Sequence, residues 1–241
     1  MKVYAITDIG RVRPINEDSY YAPAEGERFC AVADGMGGHN AGEVASALAV
    51  QVFSRNMREI DEITAESLRG AVVRANEAVY EAALENAEMS GMGTTFSALA
   101  EQGDTVYIAH VGDSRIYLVR NGAIMQLTTD HTLVEEMVQK GMITPREARV
   151  HPRRNIITRA LGTEIGVEVD VLQVAACPGD AFFLCSDGMT NCVEERQILD
   201  VASGEGAWQD KLARLLAIAL ENGGSDNITA LFAVFEEDAD R

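Results

Sequence analysis

Basic residues are scarce in this chain. Lys and Arg number 20 against 38 Asp and Glu, a net charge of −18 over 241 residues. Such a surface disfavours nucleic acid and anionic membrane, so neither is expected as a partner. Cysteine is sparse too. Cys30, Cys177, Cys185 and Cys192 form no Cys-x-x-Cys pair, and two of them sit inside apolar runs. Buried free thiols are expected, not disulfides or zinc ligands. No apolar run approaches the roughly 18 residues of a membrane span. The segment Met1-Lys2-Val3-Tyr4-Ala5-Ile6-Thr7-Asp8 is too short and polar for a signal peptide. Linkers, repeats and low-complexity tracts are missing. The expectation is a soluble, cytoplasmic monomer with one domain over residues 1–241.

What the chain does have is acid in unusual places. Phe29-Cys30-Ala31-Val32-Ala33 stops at Asp34-Gly35-Met36, and Phe182-Phe183-Leu184-Cys185-Ser186 stops at Asp187-Gly188-Met189. Each reads as a buried strand that delivers one carboxylate to a sheet end, with a glycine for a sharp exit. A carboxylate there is costly to bury unless it is paired or binds a metal. Asp113 in Val111-Gly112-Asp113-Ser114 and Asp226 in Gly224-Ser225-Asp226-Asn227 occupy similar settings. Four such aspartates, far apart in sequence, point to one oxygen-rich metal site assembled by the fold. Divalent cations would also relieve part of the self-repulsion of −18 charges, although solubility alone accounts for most of that charge.

Strand patterns cover 2–8, 18–22 and 28–33. Two helices follow, the first with an Asn40/Glu43 capping box and the second over about 64–88 with Leu68, Val72, Ala75, Val79 and Ala82 on one face. Residues 95–100, 105–111, 115–120 and 123–128 read as strands turned by Gly103-Asp104 and Asn121-Gly122, hence antiparallel hairpins. Residues 131–162 differ. Two short helices, the second capped by Thr144-Pro145-Arg146-Glu147, precede the basic run His151-Pro152-Arg153-Arg154. This stretch reads as a flap beside the active site. Strands near 168–174 and 181–186, a helix from Glu194 capped by Asn191, a helix over about 208–221 and a strand over 228–235 complete an α+β domain of antiparallel sheets covered by helices.

Arg13-Pro14-Ile15-Asn16-Glu17-Asp18 carries further chemistry. Arg13 is able to fork onto two phosphate oxygens, and Glu17 or Asp18 to bind a metal directly or through water; a surface Arg–Glu pair is the plainer alternative. Asn227 reads either as part of the site or only as a tie for its loop.

In this order the pieces resemble the metal-dependent Ser/Thr protein phosphatases of the protein phosphatase 2C type. The matching stretches are Thr7-Asp8-Ile9-Gly10 through Asn16-Glu17-Asp18, Ala33-Asp34-Gly35-Met36-Gly37-Gly38-His39, Met92-Gly93-Thr94-Thr95, His110-Val111-Gly112-Asp113-Ser114-Arg115, Cys185-Ser186-Asp187-Gly188 and Gly224-Ser225-Asp226-Asn227-Ile228-Thr229. They span nearly the whole chain and look most like the compact bacterial members that oppose eukaryote-like Ser/Thr kinases.

The resemblance implies a four-layer αββα sandwich with the metal site at one end of two central antiparallel sheets. It implies that Asp34 bridges two metals, that Asp187 and Asp226 complete the first, and that the Gly35 carbonyl and Glu17 serve the second. Asp18 matches an acid behind the ligands. Asp113, with Asp187, matches the site of a third, weaker ion, and Arg13 the phosphate-binding arginine. All-oxygen ligands favour Mn²⁺ or Mg²⁺. The implied reaction is hydrolysis of phosphoserine and phosphothreonine in phosphoproteins by direct attack of a metal-bridging hydroxide, without a phosphoenzyme. Met36 stands where some relatives place a histidine that protonates the leaving oxygen. His39 is then the candidate acid or substrate contact, with a helix-entry histidine making a local hydrogen bond as the alternative. The Cys-x5-Arg loop of tyrosine phosphatases is absent.

Overall fold

Long strands with no polar alternation need cover on both faces. The computed structural model, which describes residues 1–37 and 41–235, supplies that cover. Strands β1 (Lys2–Asp8), β2 (Asp18–Tyr21) and β3 (Phe29–Met36) lead into helices α1 (Ala41–Arg58) and α2 (Ala65–Glu85). Strands β4 (Gly93–Thr94), β5 (Phe96–Gln102), β6 (Thr105–Val111), β7 (Arg115–Arg120) and β8 (Ala123–Gln126) follow. Helices α3 (Leu133–Gln139) and α4 (Pro145–Arg149) precede β9 (Asp170–Ala175) and β10 (Ala181–Cys185). Helices α5 (Asp187–Thr190), α6 (Glu195–Ser203) and α7 (Trp208–Glu221) then lead to β11 (Ile228–Val234).

The strands form two antiparallel sheets, one ordered β1-β11-β10-β7-β8 and the other β2-β3-β5-β6-β9, with β4 beside β3. Alternate side chains of each strand serve different cores. Cys30 and Val32 of β3, Phe182 and Leu184 of β10, and Leu231 and Ala233 of β11 meet between the sheets. Phe29, Ala31 and Ala33 face α1 and α2 instead. Phe183, Cys185, Ala230 and Phe232 face α6 and α7. The result is the expected αββα sandwich, in which each fully buried Phe or Leu contributes about 2 kcal/mol of apolar burial. All four cysteines are free thiols. Among the described residues no helix is long and apolar enough to cross a membrane.

Several boundaries differ from the sequence reading. Strand β3 runs on through Asp34, Gly35 and Met36, because Gly35 and Met36 pair with Thr94 and Gly93 of β4. Gly35 is therefore a strand residue and not an exit. Asn191 does not cap the helix that follows. It ends the short helix α5, and Glu194 caps α6 in a box with Gln197. A four-residue helix has too little periodicity to be seen in sequence. The proposed Asn40 cap lies outside the described residues. Strands β6 and β7 do not pair; Gly112, Asp113 and Ser114 carry the chain from one sheet to the other.

Residues 131–162 are tied down at their base. The Thr132–Ile157 bridge joins the two legs, and the Thr94–Leu161 bridge fixes the return leg to β4. Asn76 of α2 receives the Gly162 amide at 2.8 Å and donates to the Glu164 and Ile165 carbonyls at 3.1 and 3.2 Å. Asn76→Ala leaves the buried Gly162 amide without its partner and frees the two loop carbonyls. It should cost about 2 kcal/mol and lower the melting temperature by roughly 5 °C. An unchanged melting curve would show that the loop finds other partners.

Candidate functional site

Strand register brings the acidic residues to one end of the sandwich. In one sheet, Asp18 at the start of β2 is directly opposite Asp34 near the end of β3. The end of β6 lies there too, since Phe96 pairs with Val111, and Asp113 follows two residues later. In the other sheet, Cys185 pairs with Arg115 and with Ala230, so the end of β10 meets the starts of β7 and β11. Asp187 and Asp226 occupy those ends. Five aspartates from distant segments thus share one rim.

Opposed residues on antiparallel strands point to the same face, and like charges so placed repel. The carboxyls respond accordingly. Burial, and then the charges of Asp18, Asp187, Asp113 and Asp226, push Asp34 well above the ordinary carboxylate range. Burial and neighbouring aspartates push Asp18 and Asp113 up to about 7. Asp187 is raised by burial and by Asp226. Burial also raises Glu17, with Arg13 working in the opposite direction.

Small polar groups and glycines hold this cluster in place. The Asp34 amide donates to Thr95 Oγ1 at 2.9 Å, and Thr94 Oγ1 donates to the Asp34 carbonyl at 2.9 Å. Ser186 Oγ donates to Asp18 Oδ2 at 2.7 Å and accepts from the Thr229 amide at 3.0 Å. Asn227 acts as a staple. Its side chain donates to the Ile9 and Ile15 carbonyls and accepts from the Glu17 amide. A β-carbon on Gly35 would stand 2.1 Å from the Gly42 carbonyl oxygen, and one on Gly188 2.0 Å from that of Asn227. These glycines serve close backbone packing beneath the carboxylates. Thr95 and Ser186 were passed over in the sequence reading of roles, though both lie inside the quoted motifs.

The donor set suits a hard divalent cation, because every candidate ligand is an oxygen. Among the described residues, two buried carboxylate oxygens, Glu17 Oε1 and Asp18 Oδ1, have no hydrogen-bond partner. An unsatisfied buried charge is expensive, and a cation or its water shell would satisfy both. Among the described residues, no three acidic, histidine or cysteine side chains are drawn together into a ready-made cage. Existing bonds account for this. Asp226 Oδ2 accepts from Arg13 Nη2 at 2.9 Å and Asp226 Oδ1 from the Asn227 amide at 2.9 Å, while Asp187 Oδ2 accepts from Asn191 at 3.1 Å. Arg13 Nη1 also lies 3.8 Å from Glu17. The guanidinium, half open to solvent, supplies positive charge to the acidic rim. A groove of about 650 Å³ beside Cys192 and Gln197 borders the cluster at Thr190 and Asn191, both bonded to Asp187.

Of the remaining candidates, His39 lies outside the described residues. His151 makes a local contact, accepting from the Arg153 amide at 3.1 Å. His131 is buried at the base of the flap, 4.8 Å ring to ring from His110.

Comparison with known proteins agrees with this geometry. The model of the family described as Protein phosphatase 2C matches residues 12–233. A serine/threonine phosphatase stp of Listeria welshimeri is 41% identical over 232 residues, which cover 93% of this chain and 92% of that protein. The crystal structure of the Mycobacterium tuberculosis serine/threonine phosphatase PstP/Ppp superimposes with a TM-score of 0.92 at 39% identity, covering 98% of this chain and 99% of that one. The catalytic domain of PstP in complex with two manganese ions gives a TM-score of 0.88 at 38% identity, covering 98% of each chain.

Electrostatic strain at the rim generates a stability prediction. A carboxyl whose folded pKa is raised stabilises the fold while protonated, and that contribution is lost as pH rises through the folded value. In the presence of chelator, Asp34→Asn should therefore melt about 3 °C or more above the parent chain at pH 8, and the gap should shrink as pH falls and close only below the unfolded carboxyl value of about 4. A lower melting temperature at pH 8 would mean that Asp34 is not under repulsion.

Proposed function

The chain belongs to the protein phosphatase 2C family, and we propose that it removes phosphate from phosphoserine and phosphothreonine side chains of proteins, opposing a eukaryote-like Ser/Thr kinase. The observation that carries this reading is the rim of mutually repelling carboxylates in which, among the described residues, Glu17 Oε1 and Asp18 Oδ1 have no hydrogen-bond partner. It is a site built for multivalent positive charge. The relatives, which are serine/threonine phosphatases, and the two-manganese structure of PstP support the same reading.

In this proposal Asp34 would serve two cations, Mn²⁺ or Mg²⁺, with Asp187 and Asp226 holding the first and the Gly35 carbonyl and Glu17 the second. Asp113, with Asp187, would hold a third and weaker ion. When bound, the ions supply Lewis-acid charge and an acidified water for in-line displacement at phosphorus. The chain's own residues do the rest. Asp18, fixed by Ser186 at 2.7 Å, orients what lies in front of it. Arg13 exchanges its carboxylate partner Asp226 for the substrate phosphate, where its planar fork matches two equatorial oxygens. That exchange becomes favourable once cations neutralise the rim. Water adds to phosphorus, the bond to the seryl or threonyl oxygen breaks, and that oxygen takes up a proton. His39 is the chain's candidate donor of that proton.

We place the protein in the cytoplasm as a signalling monomer, with residues 1–241 as one catalytic domain and 131–162 as its flap. The basic flap, with exposed Arg146, Arg149, Arg153 and Arg154, is suited to steering phosphorylated, acidic segments toward the rim.

Two measurements test the assignment. Hydrolysis of p-nitrophenyl phosphate and of a phosphothreonine peptide should require added Mn²⁺ or Mg²⁺, and full activity after exhaustive chelation would refute the metal dependence. Asp34→Asn should lower kcat by about a hundredfold or more while leaving the circular dichroism spectrum intact. Wild-type turnover in that variant would remove Asp34 from the bridging role.

A further inference from the structure

The turn that carries Asp113 is gripped from two sides. Gly112 adopts φ +108, and a β-carbon there would stand 2.6 Å from the β-carbon of Thr95. Thr95 is the residue that receives the Asp34 amide, so this wall of the turn is part of the carboxylate rim. The other wall is His131. Its main-chain amide donates to the Gly112 carbonyl at 2.7 Å, and its Nδ1 accepts from the Gly112 amide at 3.0 Å. One residue thus closes both polar groups of Gly112, next to a proposed cation ligand.

His131 is in turn held by the flap and by β9. The Thr158 amide of the return leg donates to the His131 carbonyl at 2.8 Å. Asp170 Oδ2 stands 3.2 Å from Nε2, and Arg159 Nη1 lies 3.1 Å from Nε2 while donating to Asp170 Oδ1 at 2.7 Å. With Nδ1 accepting from the Gly112 amide, Nε2 carries the proton toward Asp170 Oδ2, and Arg159 Nη1 spends its own N–H on Asp170 Oδ1. His110 lies alongside the ring, and its own nitrogens are engaged by Ser97 Oγ and the Thr129 carbonyl. The imidazole is therefore fixed in tautomer and orientation, more than a space-filling core histidine requires.

We propose that His131 is a positioning residue that sets the Gly112–Asp113 turn for cation binding from the base of the flap. The proposal rests on the reading that Asp113 holds the weaker ion. His131 touches neither substrate nor ion and acts through the Gly112 amide. Two conservative replacements separate its two bonds. Asn places an acceptor where Nδ1 stands and keeps the Gly112 bond. Gln extends to where Nε2 stands and keeps only the Asp170 side.

The test is calorimetric titration of Mn²⁺ into the chelator-stripped full chain, with bound and free ion counted by electron paramagnetic resonance. Asp113→Ala should bind one Mn²⁺ fewer than wild type. His131→Asn should hold the weak site within about threefold of wild type, whereas His131→Gln and His131→Ala should weaken it about tenfold, the loss of one hydrogen bond. The tight sites should be unaffected in all three, which also verifies folding. A lost ion in Asp113→Ala together with wild-type weak-site affinity in His131→Gln overturns the positioning role alone, as does equal weakening in the Asn and Gln variants. Full stoichiometry in Asp113→Ala overturns the assignment of Asp113 and this proposal with it.

Discussion

Repulsion among carboxylates at one end of the sandwich is the constraint on which the rest of the structure depends. Asp18 and Asp34 are opposed across a strand pair, and Asp113, Asp187 and Asp226 add their charges to the same rim. A fold tolerates such a cluster only if its surroundings are rigid enough to hold it. The rigidity has a visible source in the continuous cores on both faces of each sheet. The strands cannot slip, since a shift of one residue would exchange the inter-sheet and helix-facing sets. The stability of the sandwich thus balances the electrostatic cost of its end, and divalent cations would offset that cost directly. The net charge of −18 works in the same direction over longer range.

The supporting groups around the rim are almost all neutral. Thr95, Ser186 and Asn227 hold backbone and carboxylate oxygens in place through short hydrogen bonds. Gly35 and Gly188 let main chains approach where any side chain would collide with a carbonyl. Arg13 is the exception. Its bond to Asp226 makes it a resident counter-charge, able to leave when stronger cations arrive. Under the proposed mechanism the same residue would then be available for an anionic substrate, which would couple cation loading to phosphate binding through one side chain.

Much of this was legible in the sequence because apolar runs ending in Asp-Gly are hard to explain otherwise. The acidic strand ends and the antiparallel sheets covered by helices followed from strand patterns, and the four layers from the resemblance. Other features were hidden for physical reasons. Pairing with the two-residue strand β4 extends β3 through Gly35, and such a pairing has no local signature. Helix α5 is too short for periodicity, so in sequence Asn191 resembles a cap of the next helix, whereas it ends α5. The passage of the chain between sheets at Gly112 is a tertiary event, as is the closure of that turn by His131, nineteen residues later. The bond between Arg13 and Asp226 spans 213 residues, and no spacing rule anticipates it.

Anomalous diffraction from crystals grown with Mn²⁺ tests the central claim most directly. Two strong manganese peaks are expected at the sheet ends, sharing Asp34 as a ligand, with Asp187 and Asp226 on one of them and Arg13 released from Asp226. A rim with no manganese peak, and Arg13 still bound to Asp226, would contradict it.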